Sequence, residues 1–178
     1  AGMRQERPCA GGLPLVACLA AGRGTRMRSL TEHIPKPLIS VAGKTLIDRV
    51  LDSLACGGVE HTVVNLHYCA DVLQEHLEKR RAKNFCPRIR FSDERHTLLD
   101  TGGGVANAVQ FLETKSFFIA NSDVVRMDYG KHACDLLKEL WNPDVMDFLL
   151  LVHSVDTAVG FLGDGDFNLL KDGRLQSH

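Results

Sequence analysis

Leu15-Val16-Ala17-Cys18-Leu19-Ala20-Ala21-Gly22-Arg23-Gly24-Thr25-Arg26-Met27 is the stretch that decides the fold. Its first five residues form a short apolar run of the length of a buried strand. The residues that follow are small, and two are glycine, which marks a loop. Outward from this stretch the same alternation repeats. Residues 45–56 read as a helix, with Leu46, Ile47, Val50, Leu51 and Leu54 on one face and Gly57-Gly58 as its stop. Strands are predicted at 62–66, 88–91, 117–120 and 148–152. Helices are predicted at 70–81, through Leu73 and Leu77; at 105–112, after Gly102-Gly103-Gly104; and at 129–141, with Ala133, Leu136, Leu137 and Leu140 aligned. Apolar strands alternating with amphipathic helices specify an α/β fold: a mainly parallel sheet with helices on both faces. Residues 1–12 show no apolar period and read as a flexible leader, so a single domain is expected over 13–178. The tail changes character, with 166–170 and 174–176 flanking Lys171-Asp172-Gly173 as a hairpin.

In open parallel sheets ligands bind beyond the carboxyl ends of the strands. Gly22 and Gly24 let the first such loop approach a ligand closely, and its N–H groups can cradle phosphate oxygens. Arg26 adds a planar, permanently charged donor suited to phosphate. In Pro35-Lys36-Pro37-Leu38 the two prolines are expected to hold Lys36 in extended backbone and so aim its ammonium. The strand at 117–120 leads into Asn121-Ser122-Asp123, where a carboxylate is placed to hold Mg²⁺ against phosphate oxygens. Other phosphate and metal motifs fail on spacing. Met27 stands where a dinucleotide fingerprint needs its third glycine, and Leu38 stands where a Walker loop ending in Gly43-Lys44-Thr45 needs its first. Asp164-Gly165-Asp166 lacks the turn glycine and the Glu of a calcium loop.

The composition narrows the functional classes. The 178 residues carry 21 Lys and Arg against 22 Asp and Glu, a net charge of -1, so no bulk attraction to nucleic acid or anionic membrane is expected. The longest apolar run, 13–21, is interrupted by Pro14 and is far short of the about 20 residues a membrane span needs. None of the six cysteines forms a CxxC pair. Cys18, Cys56 and Cys134 sit among apolar residues and read as reduced core thiols, which points to the cytoplasm.

Residues 19–27 followed by Pro35-Lys36-Pro37-Leu38 resemble the paired signature of the sugar-1-phosphate nucleotidyltransferases, LAAGxGTR[ML] with PKP[LM]. The resemblance extends through Asp100-Thr101-Gly102-Gly103-Gly104 and Asn121-Ser122-Asp123. With Ser92-Asp93-Glu94-Arg95 and the Gly-Asp-Phe at 165–167 it is most similar to the bacterial N-acetylmuramate-1-phosphate uridylyltransferase branch, with mannose-1-phosphate guanylyltransferases as the runner-up. It implies a Rossmann-like, GT-A-like fold, a nucleoside triphosphate and a sugar-1-phosphate as substrates, and Mg²⁺ as cofactor. It implies that Leu19, Ala20, Ala21 and Gly22 contact the nucleoside and that Gly24, Thr25 and Arg26 hold the triphosphate. Lys36 would bridge the reacting phosphates, Thr101 and Gly102 would help recognise base or ribose, and Asp123 would bind the metal. The family's second metal-binding aspartate belongs to a C-terminal segment beyond His178, and Asp164, Asp166 and Asp172 do not match its position. A fragment of a longer protein, or a catalytically impaired nucleotide-sugar-binding module, is therefore also expected. A transferase acting on another phosphate alcohol is the third reading.

Blander roles compete at single positions. Asn121 and Asn107 can satisfy backbone groups, and Asp100 can serve as a helix N-terminal charge. His61, His67 and His153 read as satisfied polar residues in or beside strands, and Trp141 as packing.

Overall fold

The computed structural model describes residues 16–20, 34–97, 99–111 and 116–177. The chain divides into two compact units, the first ending at Leu136 and the second running from Leu137 to His178. The first unit is built on a four-stranded, all-parallel sheet. Its strands are β1 (Val16–Leu19), β4 (His61–Leu66), β5 (Arg88–Asp93) and β6 (Phe118–Asn121), in the spatial order β5-β4-β1-β6. Its helices are α1 (Leu46–Cys56), α2 (Ala70–Ala82) and α3 (Asp100–Val109), and α4 (Ala133–Leu140) runs across the division between the units.

Alternation along the strands divides the core into two layers. Cys18 and Ala20 of the β1 segment, with Val64 and Leu66 of β4, pack with Ile47 and Leu51 of α1 and with Leu73 and Leu77 of α2. Ala17 and Val63 point the other way and pack with Ala108 of α3. Helices thus cover both faces, and the sheet is the expected Rossmann-like α/β fold. Ile47 and Leu51 are fully buried, each contributing about 1.5–3 kcal/mol, and Leu51→Ala would cost about 2–5 kcal/mol. The α1 helix begins where the sequence suggests. Thr45 caps it, its hydroxyl accepting from the Asp48 N–H at 3.2 Å, and Gly57 ends it.

Several elements depart from the sequence reading. Gly102, Gly103 and Gly104 lie inside α3 rather than before it. The segment 148–152 has no regular structure, so the expected fifth strand is absent and its Phe148 is 79% exposed. A helix was expected from 129, but α4 begins at Ala133; it buries Ala133 and Cys134 and leaves Leu136 and Leu140 exposed. The β6 strand is an edge strand, and Ile119 on it is exposed, so this strand is not covered on both faces. A short hairpin, β2 (Ser40–Val41) with β3 (Lys44–Thr45), was not expected. It turns on Ala42 at φ 48° and Gly43 at φ 76°, the double left-handed conformation that suits two-residue hairpins.

Among the cysteines, Cys18 and Cys134 are free and buried, as expected, but Cys56 is exposed. Cys86 is disulfide-bonded, against the expectation of reduced thiols. In the second unit the expected tail hairpin forms, β7 (Phe167–Leu169) pairing antiparallel with β8 (Leu175–Ser177). Among the described residues no helix is long and apolar enough to cross a membrane.

Candidate active site

The strand order fixes where a ligand would sit. From β1 the chain crosses to β4 and on to β5, then returns to the other side of β1 to form β6. The direction of winding therefore reverses between β1 and β6, and the crevice outside the carboxyl ends of those two strands is the expected binding position. Leu19 pairs in register with Asn121, and the Ser122 N–H donates to the Leu19 carbonyl at 3.2 Å, so the two strand ends leave the sheet side by side.

Two of the expected site residues meet at this crevice. Lys36 Nζ donates to Asp123 Oδ2 at 2.5 Å, although 87 positions separate them. Each side chain is about one-third exposed, so the pair is anchored in the protein yet open to a ligand. Lys36 is not in extended backbone. It begins a 3-10 turn, Lys36–Leu38, closed by the Leu38 N–H donating to the Pro35 carbonyl at 2.8 Å. Pro37 fits this turn because its first positions need no N–H partner. Pro35 and Pro37 are buried, so the prolines still aim the lysine, by burying the turn beneath it. Cys18 of β1 is buried. Burial, with the negative charge of Asp123 second, pushes its thiol up to about 12 and keeps it a neutral packing group.

The other described candidates lie at the carboxyl ends of β1 and β5. Leu19 ends β1 and is half-buried. Ala20 is 3% exposed, and its N–H is not free for a ligand, since it donates to Asn65 Oδ1 at 2.6 Å. Thr101 and Gly102 occupy the first turn of α3, on the connection leaving the carboxyl end of β5, and both are exposed. Among the described residues, a Cβ on Gly102 would meet nothing within 4 Å. Ala21, Gly22, Gly24, Thr25 and Arg26 lie outside the described residues. Asn121 is exposed; Asn107 donates to Ser92 Oγ at 2.7 Å and is a packing residue there. Asp100 opens α3 at φ 56°. His67 faces the Glu94 carbonyl and His153 faces Thr157, which satisfies both rings locally.

The sequence reading missed a buried polar group. Asn65 and Glu94 are each 3% exposed, and Asn65 Nδ2 lies 3.5 Å from Glu94 Oε2. Burial holds the Glu94 carboxyl above its usual range, against the opposing effects of Asn65, His67 and Ser92. A lone Asn inside the apolar run at 62–66 was the available signal.

No cluster of three or more His, Cys, Asp or Glu that could hold a metal exists among the described residues. A single hard carboxylate with phosphate oxygens is how Mg²⁺ is commonly held in phosphoryl-transfer sites, and Asp123 fits that role.

Comparison with known proteins identifies the family. The profile of the nucleotidyl transferase family matches residues 16–157, and the chain belongs to that family. It is 46% identical over 158 residues to an N-acetylmuramate alpha-1-phosphate uridylyltransferase from Caulobacter vibrioides, a match covering 89% of this chain and 65% of the relative. It is 36% identical over 109 residues to a mannose-1-phosphate guanylyltransferase catalytic subunit beta from Xenopus tropicalis, covering 60% of this chain and 30% of that protein. The crystal structure of HddC from Yersinia pseudotuberculosis complexed with GMP-PN superposes with a TM-score of 0.55 at 32% identity, covering 62% of this chain and 48% of that one. The chain thus spans about two-thirds of the length of the uridylyltransferase it matches.

Proposed function

We propose that this chain carries the nucleotide-binding and catalytic part of a sugar-1-phosphate nucleotidyltransferase, transferring uridylyl from UTP to N-acetylmuramate 1-phosphate with release of pyrophosphate. The observation that carries this reading is the Lys36–Asp123 pair at the β1/β6 crevice: an ammonium and a carboxylate set side by side where phosphates would lie. The uridylyltransferase relative supports the choice of base and sugar.

The chemistry needs no protein nucleophile. An oxygen of the sugar phosphate attacks the α-phosphorus of the nucleotide, a new P–O bond forms, and the bond to the β-phosphate oxygen breaks to release pyrophosphate. The barrier lies in bringing two anions together and in charge accumulating on the leaving group, so positioning and fixed positive charge are the effective remedies. Lys36 supplies such a charge at a defined place. Arg26 and the backbone of Gly24 and Thr25 would hold the triphosphate, with Leu19, Ala20, Ala21 and Gly22 along the nucleoside and Thr101 and Gly102 towards the base or ribose. Asp123 would hold Mg²⁺, which when bound would neutralise phosphate charge.

The Lys36–Asp123 contact must loosen as substrate enters, because the ammonium is then wanted by phosphate and the carboxylate by the cation. A third-exposed pair of this kind is worth at most about 1 kcal/mol, so separating it is inexpensive. The second reading, guanylyl transfer to mannose 1-phosphate, is favoured by the Xenopus relative and by the GMP-PN complex of HddC.

The test is pyrophosphate release over four nucleoside triphosphates against several sugar 1-phosphates with Mg²⁺, products read by mass. Signal from UTP with N-acetylmuramate 1-phosphate is expected. Signal only from GTP with mannose 1-phosphate would replace the substrates and keep the mechanism. Nucleotide binding without turnover in any combination would refute catalysis by this length of chain and leave a binding module.

A further inference from the structure

The Asn65–Glu94 group has no part in the reaction derived above, yet it touches Ala20, in the stretch placed along the nucleoside. Asn65 sits near the end of β4, and its Oδ1 accepts from the Ala20 N–H, the residue immediately after β1. Its other end faces Glu94 Oε2. Glu94 is fixed through its own backbone, its N–H donating to the Leu66 carbonyl at 2.8 Å and its carbonyl facing His67 Nδ1 at 2.7 Å. On the far side, a Cβ on Gly104 would stand 2.9 Å from Asn65 Nδ2 and 3.5 and 3.6 Å from the two Glu94 oxygens. A side chain there would have to displace the Asn65 amide.

This arrangement determines which way the Asn65 amide points. Reversed, it would set its carbonyl oxygen against a carboxylate and its NH₂ against a backbone N–H, two repulsive contacts in place of two attractive ones. Glu94 therefore dictates that Oδ1 faces Ala20, and Gly104 keeps the pair close. Ala20 is the last described residue before the glycine loop, so where its peptide is held sets where that loop begins.

We propose that Asn65 is a positioning residue for nucleotide binding: oriented by Glu94 and accommodated by Gly104, it pins the start of the glycine loop through the Ala20 N–H. The proposal rests on the nucleotidyl-transfer reading above, and its test separates the two.

The amide exchange of Ala20 and the affinity for UTP with Mg²⁺ are measured on the whole chain, unsubstituted and in four variants. Asn65→Ala should speed Ala20 exchange and weaken UTP about tenfold, the usual effect of leaving a buried donor unsatisfied. Asn65→Asp keeps the acceptor for Ala20 but sets a carboxylate against Glu94. It should bind UTP weakly at pH 8 and recover at pH 6, where the close pair shares a proton. The double variant Asn65→Asp with Glu94→Gln reverses donor and acceptor and should restore binding at pH 8 to within about threefold. Gly104→Ala should resemble Asn65→Ala.

A lowered melting temperature in Asn65→Ala with unchanged UTP affinity would show a purely structural role and overturn the proposal. So would a double variant no better than Asn65→Asp alone. Failure of the unsubstituted chain to bind UTP or GTP would overturn the proposed function, and this role with it.

Discussion

Arg80→Met offers a stringent check on how the two helices of one sheet face are joined. Arg80 is only 8% exposed in its side chain, and it reaches back from α2 to α1. Its guanidinium donates to Asp48 Oδ1 at 3.3 Å and to Asp52 Oδ1 at 2.6 Å. It also donates to the Cys86 carbonyl at 2.8 Å and stands 5.7 Å from the Phe85 ring centroid. Methionine keeps the volume and removes the charge. Losing one partner of a buried ion pair costs about 3–5 kcal/mol when the other is left uncompensated. Here the orphaned groups keep other support. Asp48 retains Thr45 and His76, Asp52 retains Lys44, and the two aspartates are 18% and 39% exposed. That lowers the expected loss to about 2–3 kcal/mol, which for a chain of this size is a fall of roughly 5–10 °C in melting temperature. Circular dichroism at pH 7 reads this directly. A pH series adds a second constraint. Burial alone would raise the Asp48 pKa, but hydrogen bonds from Thr45 and His76, then the charges of His76 and Arg80, outweigh it and leave the carboxyl below its ordinary 3.8. A depressed carboxyl contributes stability above its unfolded pKa and loses it as pH falls through the folded one. Arg80 is the smallest of these influences, so the acid-side loss should persist in the variant, slightly blunted. A deficit under about 0.5 kcal/mol at pH 7 would refute the bridging role.

Three further outcomes follow from the site. Lys36→Ala should lower turnover by about 10²–10³-fold while weakening nucleotide binding far less, because a fixed charge acts mainly where charge is redistributed; steady-state rates beside equilibrium titration decide this, and equal losses in both would count against it. Asp123→Asn should raise the Mg²⁺ concentration needed for nucleotide binding at least about tenfold, with a stability change under about 1 kcal/mol, read by metal titration and urea unfolding. A thiol reagent at pH 8 should modify exposed Cys56 and spare Cys18, whose thiol lies near 12, as peptide mapping would show; early loss of Cys18 would mean that the sheet opens easily.

Much of the fold was legible because the core-facing residues of β1, β4, α1 and α2 follow their periods without interruption. The run at 148–152 shows the limit of that signal, since an apolar stretch becomes a strand only if a neighbour pairs with it, and among the described residues none does. The three glycines of α3 read as a helix entry because glycine lowers helix propensity. Yet Gly104 is kept inside the helix because Asn65 and Glu94 occupy the space a side chain would need. The turn at Lys36 illustrates the same point: the preference of a pre-proline residue for extended backbone yields to burial of Pro35 and Pro37. Lys36 and Asp123 were recognisable separately, as charged residues in loops beyond strands. Their contact depends on β6 lying beside β1, which no local pattern specifies. Glu94 stands in a recognisable motif and Asn65 is a lone polar residue in an apolar run, but that they form one group emerges only where three elements converge.

The neighbours of β1 also carry a consequence for synthesis. This strand pairs on one side with β4, available soon after it, and on the other with β6, which begins at Phe118. At about 5–20 residues per second the ribosome needs roughly 5–20 s to travel from Leu19 to Phe118. Throughout that interval one edge of the central strand offers a row of unpaired N–H and C=O groups to any other extended chain. The crevice between β1 and β6 is thus the last seam of the four-stranded sheet to close. The nascent chain is most open to mispairing along the line where its nucleotide site will form.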